Sequence, residues 1–257
     1  SRGRHSLPLI MQSSANLREK LPENLAVLGK DLATILSREG GRIILVGGSV
    51  RDLLLNALPH ELDIEVGGLS TERIQSILSP RFEAEELGKS FGVLKIKGQP
   101  VEISLPRTER KTGTGHKGFS IEVDPRLPFE EASARRDFTI NALGLDLLSG
   151  ELLDPHNGQK DLKEGILRHV GPAFSEDPLR VLRAMQFLAR FDLQPAKETV
   201  ALCRNIPIEG LPSERIFEEW KKLILKGRIP SRGLHFLKSS DWLRHFPELA
   251  LLVDCEQ

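Results

Sequence analysis

The sequence predicts an α+β fold, with a mixed or antiparallel sheet flanked by helices over residues 1–172 and helices alone over 173–257. Three observations carry this reading. The apolar, β-branched run Ile43-Ile44-Leu45-Val46 stops at Gly47-Gly48, and Ser49 then opens a helix-like segment with Arg51, Asp52 and the apolar Leu53 to Leu55. That is strand, tight turn, helix. Glu61-Leu62-Asp63-Ile64-Glu65-Val66 alternates carboxylate with apolar at period two, a strand pattern that puts three carboxylates on one face. From about Ser175 onward, only helical spacing of apolar residues remains.

Composition bounds the class without naming it. At 257 residues the chain is long enough for one or two domains with a sizeable core. Lys plus Arg and Asp plus Glu balance at 36 each, so a nucleic-acid partner would have to be met by local patches rather than by an overall basic field. Cys203 and Cys255 lack metal-ligand spacing, which suits buried thiols in a reducing cytoplasm. No apolar run approaches a membrane span, and Ser1 to Gln12 lacks the core of a secretion signal. The first residue is Ser rather than Met, the expected mark of a processed or trimmed chain.

The elements follow in order. Leu25, Leu28, Leu32 and Leu36 stand at helical spacing between Pro22 and Gly40-Gly41, predicting a helix that packs on the strand beginning at Ile43. Ser70 is an N-cap signal for a short amphipathic helix through Ile74, Ile77 and Leu78, ended by Pro80. Short strands are expected around Phe82, at Val93 to Ile96 and at Val101 to Leu105, with Glu83, Glu85 and Glu86 as solvated surface. Arg107 to Gly118 has four Lys/Arg, one Glu, His116 and three glycines, and reads as a mobile cationic loop. Gly144 to Asp154 reads as a hairpin turning at Ser149-Gly150. Glu176-Asp177-Pro178 opens a helix with Leu179, Leu182, Met185 and Leu188 inward, and further helices are expected at 196–205, 213–225, 231–239 and 240–246.

The chemistry is concentrated in few residues. Gly47 and Gly48 allow backbone N–H groups to approach a phosphate without Cβ interference, and Ser49 and Arg51 stand behind them. The turn matches neither the GxGxxG fingerprint nor the GxxxxGK[ST] loop. Glu61 and Asp63 offer hard oxygen ligands of the kind Mg²⁺ takes together with substrate phosphates, and Glu102, alternating with Val101 and Ile103, could add a third carboxylate. Taken singly, these are a tight turn, a solvated strand face and an edge-strand Glu; the coupling of the turn and the acidic strand in one short stretch is what points to a metal and a nucleoside triphosphate. Arg135 and Arg136 are a pair suited to bidentate phosphate contact, with Asp137 and Asn141 able to hold ribose hydroxyls.

GGSVRD, followed nine residues after Asp52 by Glu61-x-Asp63, resembles the signature of the tRNA nucleotidyltransferases and bacterial poly(A) polymerases of the DNA polymerase β-like superfamily. The family pattern is GGxVRD and then DxD, so Glu61 stands where the family has Asp. RRDFTINAL, at Arg135 to Leu143, is similar to the family's second motif, and Asp154 to Leu162 to its DPxxGxxDL segment. EDPLRVLRA resembles the motif in which an Asp and an Arg on one helix face offer a base-pairing edge to the incoming nucleotide. Carried over, these are Asp177 and Arg180, with Glu176 and Arg183 beside them. SERIFEEWKKLIL resembles the helix-capping stabiliser of the family's neck.

The resemblance implies a nucleotidyltransferase head followed by a helical neck, truncated relative to the family's longer chains, whose further body and tail grip tRNA. It implies template-independent addition of C and/or A, from CTP and ATP, to the tRNA 3′ end, with Mg²⁺ held by Glu61 and Asp63 and helped by Glu102; no obligate protein partner is evident in the sequence. A poly(A) polymerase, or an enzyme adding only CC or only A, is the alternative within the class. A weakly active RNA- or nucleotide-binding fragment is the alternative outside it. From Arg204 to Arg244, nine Lys/Arg against five Asp/Glu make a modest basic patch for RNA backbone.

Overall fold

The computed structural model describes residues 17–87, 92–111 and 119–250. In chain order the elements are α1 (Glu23–Ser37), β1 (Arg42–Val46), α2 (Gly48–Leu54), β2 (Leu62–Gly67), α3 (Thr71–Leu78), β3 (Ala84–Glu86), β4 (Val93–Ile96), β5 (Val101–Ser104), β6 (Arg107–Lys111), β7 (Phe119–Val123), α4 (Phe129–Ser133), β8 (Gly144–Asp146) and β9 (Leu152–Leu153). They continue with α5 (Gly158–Glu164), β10 (Ile166–Leu167), α6 (Leu179–Phe191), β11 (Gln194–Pro195), α7 (Lys197–Arg204), α8 (Ser213–Lys226), α9 (Pro230–Ser239) and α10 (Pro247–Ala250), with single 3-10 turns between some of them. The chain divides into two compact units, residues 1–110, 121–133 and 141–155 in the first and residues 111–120, 134–140 and 156–257 in the second.

The first unit is built on a seven-stranded mixed sheet in the order β3-β4-β5-β2-β1-β8-β9. Only β2 and β5 run parallel; the other neighbours are antiparallel. Alternation assigns the two faces. Ile43, Leu45, Leu62, Ile64, Val66, Val101, Ile103, Leu94, Ile96 and Leu145 point one way and are buried. Helix α1 covers that face with its Leu25, Leu28, Leu32 and Leu36, each worth about 1.5–3 kcal/mol when fully buried. The approach is close: a Cβ at Gly29 would lie 3.4 Å from Leu147 Cδ1 and 3.5 Å from Leu62 Cδ1.

The opposite face carries Ile44, Glu65, Ser104, Asp63 and Glu102. Over β1 and β8 it is closed by Phe129 of α4, for which Gly144 makes room: a Cβ there would fall 2.6 Å from the Phe129 ring and 2.7 Å from Ile44.

Among the described residues the second unit is mainly helical, and it includes the short parallel pair β10–β11. Helix α6 is its centre. Leu179, Leu182, Met185 and Leu188 are buried as their spacing predicts, and Val181, Ala184, Phe187 and Ala189 are buried as well, so α6 is enclosed on most sides. Phe138 packs edge-on against Phe174 and Phe187. Trp242 donates its indole N–H to the carbonyls of Cys203 and Ile206 at 3.0 and 3.1 Å, tying the chain after α9 to the end of α7.

Some expectations are corrected. The strand expected at Phe82 forms two residues later, at Ala84–Glu86, once the turn ending α3 is complete. Residues 240–246 make only a 3-10 turn, Trp242–His245, because Asp241 takes a left-handed φ of 60° and interrupts the helix. Glu61 lies just ahead of β2 rather than within it. Glu65, on the carboxylate face as its alternation predicts, is buried. Arg107–Lys111 is strand β6, paired with β7, rather than loop. Residues 112–118, including His116, lie outside the described residues.

Candidate active site

Strand directions bring the predicted residues of the first unit to one end of the sheet. Strand β1 runs antiparallel to β2 with Leu45 opposite Ile64, so the glycine turn after Val46 arrives where β2 begins, at Glu61 and Asp63. Strand β5 runs parallel to β2, and Asp63 is the register partner of Glu102. Register partners share a face, so the two carboxylates stand side by side. Gly144 opposes Val46, and the segment leading into β8, with Asn141, therefore reaches the same end.

The turn itself needs glycine. Gly47 has φ 72° and ψ −146°, a conformation closed to other L-residues. A Cβ at Gly48 would lie 3.0 Å from Arg51 Nη2, so a side chain there would crowd the guanidinium. Arg51 is buried, 5% exposed, and folds back against the turn. Its Nε and Nη2 donate to Asp52 Oδ1 at 2.9 and 2.8 Å, and its Nη1 donates to Asn141 Oδ1 at 2.6 Å. Ser49 is also buried. Arg51 and Asn141, predicted for triphosphate and ribose, are thus partners of each other in this state.

The same sheet row continues outward: Lys95 of β4 opposes Glu102. Sequence reading missed this cation, because strand alternation around Lys95 says nothing of which strand lies beside it. Among the described residues, no three His, Cys, Asp or Glu side chains close into a metal cage. Asp63 and Glu102 come as a pair, with Glu61 two positions before Asp63.

The second unit holds the other predicted residues, joined by charge. Arg135 pairs with Glu176. Arg136 is half-exposed and has no ion-pair partner among the described residues. Asp137 is buried; its Oδ2 accepts from Arg183 Nε at 2.8 Å and Nη2 at 2.7 Å, and its Oδ1 accepts from the Phe138 N–H at 2.7 Å. Burial alone would lower the Arg183 pKa, but Asp137, with smaller contributions from Glu219 and Asp177, raises it above the usual arginine value. Arg180 donates to the carbonyls of Ala173 and Arg135, both at 2.7 Å. Asp177 Oδ1 accepts from the Leu179 N–H at 3.1 Å, and its Oδ2 from Arg215 Nη2 at 2.9 Å. Periodicity carries no sign that Arg215 reaches Asp177, since the two lie 38 residues apart in the chain.

A double-glycine turn delivered beside paired carboxylates at one end of a mixed sheet places the first unit among the nucleotidyltransferase heads. Over residues 43–168 the chain matches the poly A polymerase head domain. Among curated relatives, the multifunctional CCA protein of Xanthomonas campestris is 41% identical over 226 residues, covering 84% of this chain and 53% of that protein. The chain thus spans about half the length of the curated relatives it matches. Among solved structures, the Thermotoga maritima CCA-adding enzyme complexed with tRNA-CCA is 27% identical with TM-score 0.74, over 92% of this chain and 56% of that one. CCA-adding enzymes complexed with CTP and with ATP are each 26% identical, with TM-scores of 0.72 and 0.74, over 90% and 92% of this chain and 54% and 56% of theirs. No helix among the described residues is long and apolar enough to cross a membrane.

Proposed function

We propose that this chain is the catalytic part of a template-independent nucleotidyltransferase that adds C and A, from CTP and ATP, to the 3′ end of tRNA. The observation that carries the reading is the side-by-side placement of Asp63 and Glu102 at the sheet end where the Gly47-Gly48 turn lands. The relatives named as CCA proteins, and the likeness to CCA-adding enzymes solved with CTP, ATP and tRNA, support the substrates.

The donor set fits a divalent metal. It is all oxygen, with Asp63 and Glu102 on one face of neighbouring strands and Glu61 just ahead of β2, the hard donors that Mg²⁺ takes together with phosphate oxygens and water. Glu61, Asp63 and Glu102 would hold Mg²⁺, which supplies Lewis-acid stabilisation of the transferring phosphoryl group and of the departing pyrophosphate. The protein's own residues do the rest. The backbone N–H groups of Gly47, Gly48 and Ser49 receive the triphosphate, and Arg51, anchored by Asn141, keeps the turn in place. In the helical unit, Asp177 accepts from and Arg180 donates to the base, and Arg135 and Arg136 supply positive charge for phosphate, with Glu176, Asp137 and Arg183 fixing their surroundings. On this reading, residues 1–172 are the catalytic head and 173–257 the neck that reads the base. The reaction takes place in the cytoplasm, in keeping with Cys203 as a buried free thiol.

One finding favours a second reading: the matching family is described by its poly A polymerase head domain. Incubation with tRNA ending before CCA, Mg²⁺ and labelled CTP or ATP separates the two. CCA addition is expected; long A tails would establish the polymerase, one nucleotide type alone a partial enzyme, and no product a binding fragment.

A further inference from the structure

We propose that Arg215, on α8, is a positioning residue for base choice: it fixes the Asp177 carboxylate as an acceptor and so shares in discrimination among the nucleotides. The proposal rests on the reading of Asp177 and Arg180 as the base-selecting pair.

Asp177 is held at both oxygens, Oδ1 by the Leu179 N–H at 3.1 Å and Oδ2 by Arg215 Nη2 at 2.9 Å. The first hold is local, from the first residue of α6, two positions further along the chain. The second comes from α8 and carries a charge. A carboxylate held by a guanidinium keeps its oxygens in a fixed orientation, and a carboxylate only accepts. The exocyclic amino groups of cytosine and adenine can donate to such an oxygen, whereas the oxo groups of uracil and guanine meet it as another acceptor. Released from Arg215, the carboxylate could turn, and the contrast between amino and oxo edges would weaken.

A second observation shows that α8 opposes α6 by charge as well as by packing. Glu219 lies one turn beyond Arg215, is 2% exposed, and takes Lys222 Nζ on Oε1 at 2.8 Å, while its buried Oε2 has no hydrogen-bond partner. Its charge acts on Arg183, the residue that holds Asp137. A half-satisfied buried carboxylate is costly to keep and contributes nothing that an apolar side chain would not contribute to packing. Arg215 and Glu219 are on the face of α8 turned to the charged residues of α6.

The test compares wild type, Arg215→Gln, Arg215→Lys, Asp177→Asn and the Arg215→Gln/Asp177→Asn double variant. Dissociation constants for CTP, ATP, UTP and GTP and single-turnover incorporation into tRNA ending before CCA are measured for each, with melting temperatures. Arg215→Gln is expected to lower the preference for CTP and ATP by about tenfold, the selectivity carried by one charged hydrogen bond, with UTP and GTP gaining as the others lose. Arg215→Lys, which keeps the charge, should recover part of it, and decides the matter if the Gln variant does not fold. The double variant should discriminate no worse than Asp177→Asn. If Asp177→Asn relaxes discrimination and Arg215→Gln and Arg215→Lys leave it intact, the role of Arg215 is overturned and the base-selecting pair stands. If Asp177→Asn itself leaves discrimination intact, the base-selecting reading falls and takes this proposal with it.

Discussion

Asp63 and Glu102 are register partners on the two parallel strands of an otherwise antiparallel sheet, so their carboxylates lie next to each other on one face. Asp63→Ala is therefore expected to abolish nucleotidyl transfer with little change in melting temperature, since it removes a ligand from a half-exposed position. Glu61→Ala should cost less, because Glu61 precedes the strand and, among the described residues, has no strand register partner. Wild-type turnover by the Asp63→Ala protein would remove the metal assignment.

Arg180→Ala should let UTP and GTP compete. Losing one partner of the acceptor–donor pair leaves the other unmatched, about 1–3 kcal/mol per hydrogen-bonding group. Triphosphate binding should survive, because the glycine turn is built by other residues. Unchanged discrimination among the four nucleotides would make this helix scaffold only.

Asn141→Ala should destabilise the first unit by about 1–3 kcal/mol, the cost of leaving a buried donor of Arg51 without its acceptor. Denaturant unfolding measures it. Activity should fall further than stability alone explains, since Arg51 also lies against Gly48.

His169 carries a pH dependence. Burial first, and then the neighbouring Arg168, lower its pKa below the usual histidine value, and its ring Nδ1 stands 2.8 Å from Thr199 Oγ1. The unfolded chain therefore takes up a proton more readily than the folded one. The stabilisation is present above about pH 6.5, the ordinary histidine value, and is lost as pH falls through the lowered folded value. Melting temperatures compared at neutral and mildly acid pH should show a smaller decline for His169→Gln than for wild type; an equal decline would rule out this residue as a source.

What was legible in the sequence was local. The β-branched run, the paired glycines and the helical leucines of α1 and α6 define elements within a few residues of one another, and the Ser70 cap accepts from the Arg73 N–H at 3.2 Å. What escaped it depends on partners distant in the chain. Alternation put Glu65 on the carboxylate face but could not say that the face is covered there, and the spacing of Arg51 could not foretell Asn141. The pairing of Asp177 with Arg215 needs two helices packed in one orientation, which neither periodicity encodes.

The parallel pairing of β2 and β5 bears on how the molecule reaches its native state. Parallel neighbours cannot be joined by a tight turn, and here α3, β3 and β4 intervene between them. Closing so long an excursion costs chain entropy before any contact returns it, and such distant pairings slow the search for the native topology. The two carboxylates can be aligned only after that closure, whereas α1 and the β1 turn form from residues already near each other. Refolding should thus restore helical signal before it restores nucleotide binding; simultaneous recovery of the two in stopped-flow traces would contradict this order.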